Sequence, residues 1–455
     1  MVIAAKIFST LGNPKSLVPL AVKDSANSLG MTTASTITSK DEGRDRLIDE
    51  FGTEVIWIGG IPFAKKVIDK TLFKAVNYSA EYDVTNLKNK DIFEKTKEYA
   101  PTEKIKQQIE KIGNNQKTFK ALNVAKFAIA TVTALGAYNI MTDMKQKYTH
   151  NRIKAKLLKQ EEEKSKALMA QSKEVTDKSN NLTFTHLSNF KEKAQGANPS
   201  FKGGFDFMLD PVKNTMILDA GITSERLGKS RSPQEFMGYA IKEGGFLFFM
   251  YYFGKKVQEH FENVADTKHK KNIGLDARVL ESDKLKQAFA DKSIEQSLRA
   301  MDKFQETGSS DVELYEFLHK NPDNMVVDAA KQSDIIQTYK KPKKWYQIFK
   351  KSEDTGLIDT RKYIDLGDVR KTHSNMSKLY NQFNESGQTV EEFFKDVRKL
   401  KRGSILKNIG SAIFALGVVV PGIMLADRLL RPDNKEFAVE KRLKEQMAQK
   451  NNTLA

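Results

Sequence analysis

Two decapeptides set hydroxyls, a glycine and basic side chains where an anion could be held. Residues 37–46 read ITSKDEGRDR and residues 222–231 read ITSERLGKSR, so that Ser39, Gly43 and Arg46 align with Ser224, Gly228 and Arg231. Two arginines at matching positions could clamp a lipid phosphate, a bidentate task that suits the planar guanidinium. The simpler reading is a turn: a hydroxyl caps a helix, the glycine takes a positive φ, and each arginine pairs with an acid of the other copy. The second copy also invites a nucleotide reading, because Gly228-Lys229-Ser230 precedes a helix. An amide cradle for phosphates needs a first glycine where Thr223 stands, and the first copy has Asp45 where a metal-binding hydroxyl belongs.

A second group of candidates is ionisable. Glu54, Lys126, Lys242, Glu243 and Lys407 lie in or beside apolar runs. A charge inside a membrane span is expensive, so each is a candidate functional group by position, with a transport role as the chemistry. A third group is Lys344, Trp345, Tyr346 and Phe349, in which aromatic residues sit among lysines. That composition suits a membrane interface, with the rings at head-group level and the lysines on anionic lipid.

No covalent chemistry is legible. The chain has no cysteine, which excludes disulfides, thiolate zinc ligands and cysteine nucleophiles. The histidines at 150, 186, 260, 269, 319 and 373 show no metal-binding spacing, and no G-x-S-x-G elbow is present. The many other acids read as solvated faces of charged helices. The expectation is a non-enzymatic protein with no catalytic residue, cofactor or metal.

The elements that must position these residues follow from hydropathy. Only 39% of residues are hydrophobic, mean hydropathy is −0.53, and the apolar residues are gathered into a few runs between lysine-rich segments. Ala121–Met141 is long enough for the roughly 20 residues that a span requires, and small residues line it. Ile405–Ala426 is the second clear span, with Lys407 mirroring Lys126 and Pro421-Gly422 placed to kink opposite Gly136-Ala137. Val55–Ala64 is too short to span and carries Gly59, Gly60 and Pro62, so it reads as a broken or re-entrant segment. Phe236–Gly254 is nearly long enough. Ser39-x-x-Glu42 and Ser232-Pro233-x-Glu235 mark helix starts, and Thr215–Leu218 reads as a short strand.

Together these predict a mainly α-helical membrane protein built from two tandem repeats, each of motif, short apolar segment, linker helix and long transmembrane helix. The parts are an irregular segment 1–36, a first half 37–160, a charged linker 161–215, a second half 216–445 with a helical insertion 275–358, and a polar tail 446–455. The net charge of +17 points to anionic lipid head groups as partner rather than nucleic acid. The expected role is structural or scaffolding in the cell or inner membrane, with homo-oligomers open. The alternatives are a secondary transporter, suggested by internal repeats with Gly/Pro-interrupted segments, and a soluble helical protein that binds an acidic partner.

Overall fold

The computed structural model describes residues 2–13, 16–171, 211–304, 311–342, 352–430 and 437–454, and helices dominate it. The first half runs α1 (Val2–Gly12), α2 (Leu17–Thr38), α3 (Lys40–Val55), α4 (Ile61–Ile68), α5 (Lys90–Glu98), α6 (Glu103–Asn114) and α7 (Gln116–Gln171). The second continues with α8 (Pro211–Gly228), α9 (Pro233–Leu247), α10 (Gly254–His269), α11 (Ala277–Leu280), α12 (Asp283–Ala290) and α13 (Ile294–Asp302). It closes with α14 (Asp311–Lys320), α15 (Met325–Gln332), α16 (Leu366–Ser386), α17 (Val390–Phe414), α18 (Val420–Leu430) and α19 (Ala438–Leu454). An antiparallel ribbon of β1 (Thr338–Lys340) and β2 (Asp354–Ile358) separates α15 from α16.

Two helical hairpins organise a bundle. Ser39 turns the chain from α2 into α3 and Ser232 turns it from α8 into α9. Each serine oxygen accepts the backbone N–H three residues on, from Glu42 and Glu235. Arg231, beside the second corner, reaches Asp45 in α3 at 2.8 Å, so both corners lie at one end of the bundle. α7 and the α17–α18 pair run alongside toward that end.

The apolar runs are continuous helices. π-helical turns at Ile56–Gly60, Phe248–Phe253 and Ala415–Val419 join α3 to α4, α9 to α10 and α17 to α18. The extra residue absorbs the missing amide of Pro62, so Val55–Ala64 does not break. At the third turn Pro421 leaves the Gly417 carbonyl without its helical donor. Gly30 of α2 packs onto that carbonyl so closely that a Cβ would collide with it and with the proline ring. α7 runs unbroken through Gly136-Ala137.

Other expectations change. Residues 2–12 and 17–38 are helices rather than irregular, since Ser16 caps α2 and its small polar residues pack inward. Thr215–Leu218 belongs to α8, not to a strand. The tail continues as α19, whose Val439 and Leu443 bury against Ile153 and Leu157 of α7. The decapeptides are not equivalent positions: Ser39 caps α3, whereas Ser224 lies inside α8 and donates to the Ala220 carbonyl.

The other end of the bundle carries a domain with an ordinary apolar core. Leu280, Phe289, Leu314, Val326, Val369, Leu379, Phe393 and Phe394 are among its buried side chains. A smaller core around Phe93, Ile105, Ile109, Ile112 and Phe119 sits beside it, tied by Asp83 N–H to the Arg361 carbonyl (2.7 Å) and by Lys95 to Glu316 (2.7 Å). α17 is common to both regions: Phe393 and Val397 fill the domain, while Ile409 and Ala412 are buried in the bundle.

Candidate functional site

α3 buries the face that a helix in water would solvate. Asp41, Glu42, Asp45, Arg46, Asp49, Glu50, Thr53 and Glu54 are all buried, whereas Leu47 is 43% exposed and Val55 71%. Spacing of four places Asp41, Asp45 and Asp49 in one row, and α2, α7, α8, α9 and α18 supply their partners.

The row is a ladder of ion pairs running inward from the corner end. At the outer rung Asp41 meets Lys156 (2.8 Å) and Arg152 (3.2 Å), and Glu42 meets Arg428. The hydrogen bond from Lys156 to Asp41 holds that ammonium above its ordinary value. Next, Asp45 accepts from Thr149 (2.6 Å) and Arg231 (2.8 Å). Asp49 then faces Lys145 (3.2 Å), Arg226 (3.3 Å) and the Tyr138 hydroxyl (3.3 Å). Arg46 lies over the Tyr239 ring at 4.7 Å. Deeper still, Lys242 bridges Glu50 (2.7 Å) and Glu243 (2.9 Å), while Arg226 grips Glu243 and donates to Thr53 (2.9 Å).

The ladder ends on two carboxyls held by neutral groups. Asp24 accepts from Trp57 Nε1 at 2.9 Å, and Asp219 accepts from the Tyr251 hydroxyl. Both line a cavity of about 20 Å³ together with Asn27, Glu50, Thr53, Arg226, Lys242 and Glu243. Beyond it Leu20, Trp57, Phe246, Met250 and Leu416 form an apolar layer.

Several residues singled out by sequence meet here. Arg46, Arg231, Lys242 and Glu243 are members, and Glu54 borders the cluster, accepting from Ser25 at 3.3 Å. Arg231 of one decapeptide pairs with Asp45 of the other, so it is engaged internally. The glycines depart from the turn reading: Gly43 is helical and pressed against Thr36, and Gly228 closes α8 in open space. Positive φ among the described glycines occurs at Gly356 and Gly387 instead. Lys126 does not reach outward but pairs with Asp69 at the domain end, and Lys407 lies over the exposed side of Phe261 at 4.9 Å. Lys344, Trp345, Tyr346 and Phe349 fall outside the described residues.

Asp41, Asp45, Asp49, Glu50 and Lys145 escape notice because charges on charged helices read as solvated, Asp24 because its segment reads as irregular, and Asp219 and Arg226 because no helix is expected around them. The usable signal was acids every fourth residue on α3, with apolar residues on the opposite face and an apolar run directly following.

A second concavity, of about 780 Å³, lies between α1, α10, α17 and the domain. Several of its polar groups are committed to the fold: Asp276 and Asp365 cap α11 and α16, and Lys401 donates to the Ile273 carbonyl at 2.7 Å. Among the described residues no three His, Asp or Glu gather as a metal ion requires. The buried ladder sets carboxylates against arginines and lysines in close pairs. Compared with protein-family models, curated proteins and solved structures, the chain matches none.

Proposed function

We propose that the chain is a non-enzymatic integral membrane scaffold, whose bundle crosses the bilayer and holds the helical domain rigidly at one face. One observation carries the reading: the bundle is polar inside and apolar outside. Val55, Phe63, Val132, Ile140, Met144, Phe414 and Val418 are exposed while the ladder is buried. In water that distribution is unfavourable on both counts, whereas in lipid apolar surface meets apolar solvent and polar groups must find partners inside. Two helices, 116–166 and 390–430, are long and apolar enough to cross, and only 11% of the apolar window in the first is buried. A soluble core helix would be mostly buried. The basic surface fits anionic head groups as the lipid partner. We also read the α2–α3 and α8–α9 hairpins as two copies of one unit, in the register set by Ser39 and Ser232.

Single cysteines test the topology cleanly, because the chain has none of its own. Lys104→Cys on α6 and Lys164→Cys at the far end of α7 should react with an impermeant maleimide from opposite sides of sealed vesicles. Equal accessibility from one side would remove the spanning bundle and promote the soluble reading. A second reading, a transporter, draws support from the ladder and the small cavity at its end. It requires substrate-dependent uptake in proteoliposomes that is lost in Glu243→Gln.

A further inference from the structure

We propose that Asp24 and Asp219 form a proton-binding pair at the inner end of the ladder, taking up and releasing protons across the cavity they share. The cavity is lined by four carboxyls, Asp24, Glu50, Asp219 and Glu243, but by only two cations, Arg226 and Lys242. Geometry divides the carboxyls. Glu50 and Glu243 touch Lys242, and Glu243 also touches Arg226. Asp24 and Asp219 have no cation within ion-pair distance among the described residues. Their partners are the Trp57 indole and the Tyr251 hydroxyl. Asp24 is buried and Asp219 half-buried; a carboxylate withdrawn from water without a counter-charge is costly, and taking up a proton removes that cost.

An independent feature of the same cavity offers that proton an acceptor. Asn27 is 1% exposed, and neither its Oδ1 nor its Nδ2 has a hydrogen-bond partner. A carboxyl that accepts from Trp57 or Tyr251 through one oxygen can, once protonated, donate through the other. Asn27 Oδ1 is an unfilled acceptor on a residue lining that space, as is Glu50 Oε1. About 20 Å³ also exceeds the roughly 10–15 Å³ that one water needs, so a single water can link the two acids and Asn27. The chemistry is proton addition to a carboxylate oxygen, and no other bond changes.

The groups facing the pair from every neighbouring element are already placed. α3 presents Asp49 and Glu50, with Glu54 turned to Ser25; α7 presents Tyr138, and behind it Lys145. α8 presents Arg226, α9 presents Lys242 and Glu243, and the neighbouring π turns present Trp57 and Tyr251. The α17–α18 region presents the apolar Leu416 and Val420. Lys23, on the same helix as Asp24, points instead toward Gly254 and Asn408.

The inference rests on burial, not on the bilayer, so its test is independent of the labelling experiment. Infrared difference spectra of the full chain in lipid nanodiscs, titrated with alkali, should contain a protonated-carboxyl stretch at neutral pH that disappears as pH rises. Asp24→Asn and Asp219→Asn keep an acceptor for Trp57 and Tyr251, and each should remove about half of that band. A wild-type spectrum without the band at neutral pH, or a band that persists undiminished in the double variant, overturns the pair. If a variant fails to fold, the wild-type titration still decides whether a buried protonated carboxyl exists, and Asn27→Leu should then shift its midpoint.

Discussion

The bundle and the domain are built from the same kind of helix, packed in opposite senses. In the domain the buried positions are Leu280, Phe289, Val326, Val369 and Leu379, and the large apolar residues exposed among its described positions are Leu357 and Tyr363. In the bundle α3 buries its acids, and Leu47, Val55 and Phe63 face out. Both sequences satisfy helical periodicity equally well, so the period alone does not say which face is inside. What distinguishes them is where the partners lie. Each acid of α3 has a cation or hydroxyl waiting on α2, α7, α8, α9 or α18, whereas the domain's charges pair along its surface.

The contrast breaks most visibly at Arg226, which serves Glu243, Asp49 and Thr53 at once. Arg226→Met leaves buried carboxylates uncompensated and should destabilise the bundle by about 4 kcal/mol. Thermal unfolding in detergent should record a large loss, partly restored by adding Glu243→Gln. A mutant as stable as the parent would mean that the ladder is hydrated.

Exposed positions sharpen it next. Val132, 69% exposed on α7, and Leu357, 55% exposed on the domain, look alike by accessibility. Val132→Asp should oppose membrane insertion by about 3 kcal/mol, whereas Leu357→Asp should change stability by under about 0.5 kcal/mol. The membrane-recovered fraction of each variant measures the difference. Equal effects would place both surfaces in the same solvent.

The domain should also respond to acid on its own. His319 stacks on Tyr99 at 4.5 Å and leans on Tyr315 at 4.8 Å, and burial pushes its imidazole down to about 4 from 6.5. The folded domain therefore keeps it neutral while the unfolded chain protonates it. Stability is complete above about pH 6.5 and falls as pH drops toward about 4, by about 2 kcal/mol at pH 5. His319→Phe should flatten that part of the profile in domain unfolding followed by near-ultraviolet dichroism. The smallest effect is expected at the corner. Ser39→Ala removes the cap on α3 and should lower bundle stability by about 1 kcal/mol.

Much of the helical content was legible in the sequence, including the capping serines Ser39 and Ser232 and the two long apolar helices. Three things were hidden for physical reasons. The π turn at 56–60 was hidden because Gly59, Gly60 and Pro62 signal interruption locally, and only packing decides that a helix absorbs them. α2 looked irregular because serine, threonine and asparagine disfavour isolated helices, yet Asn27, Ser28 and Ser35 are buried in contact with neighbouring helices. The ladder was invisible because charge on a helix implies water until a tertiary partner is known. Lys242 and Glu243 betrayed it only because they interrupt an apolar run.

α17 passes from the domain core through a π turn into α18 without a loop, so 390–430 forms one helical rod about 62 Å long at 1.5 Å per residue. The π turn and Pro421 are the points along this path at which the helix can bend. That helix joins the core around Phe393 to the close Gly30–Gly417 contact within one continuous element.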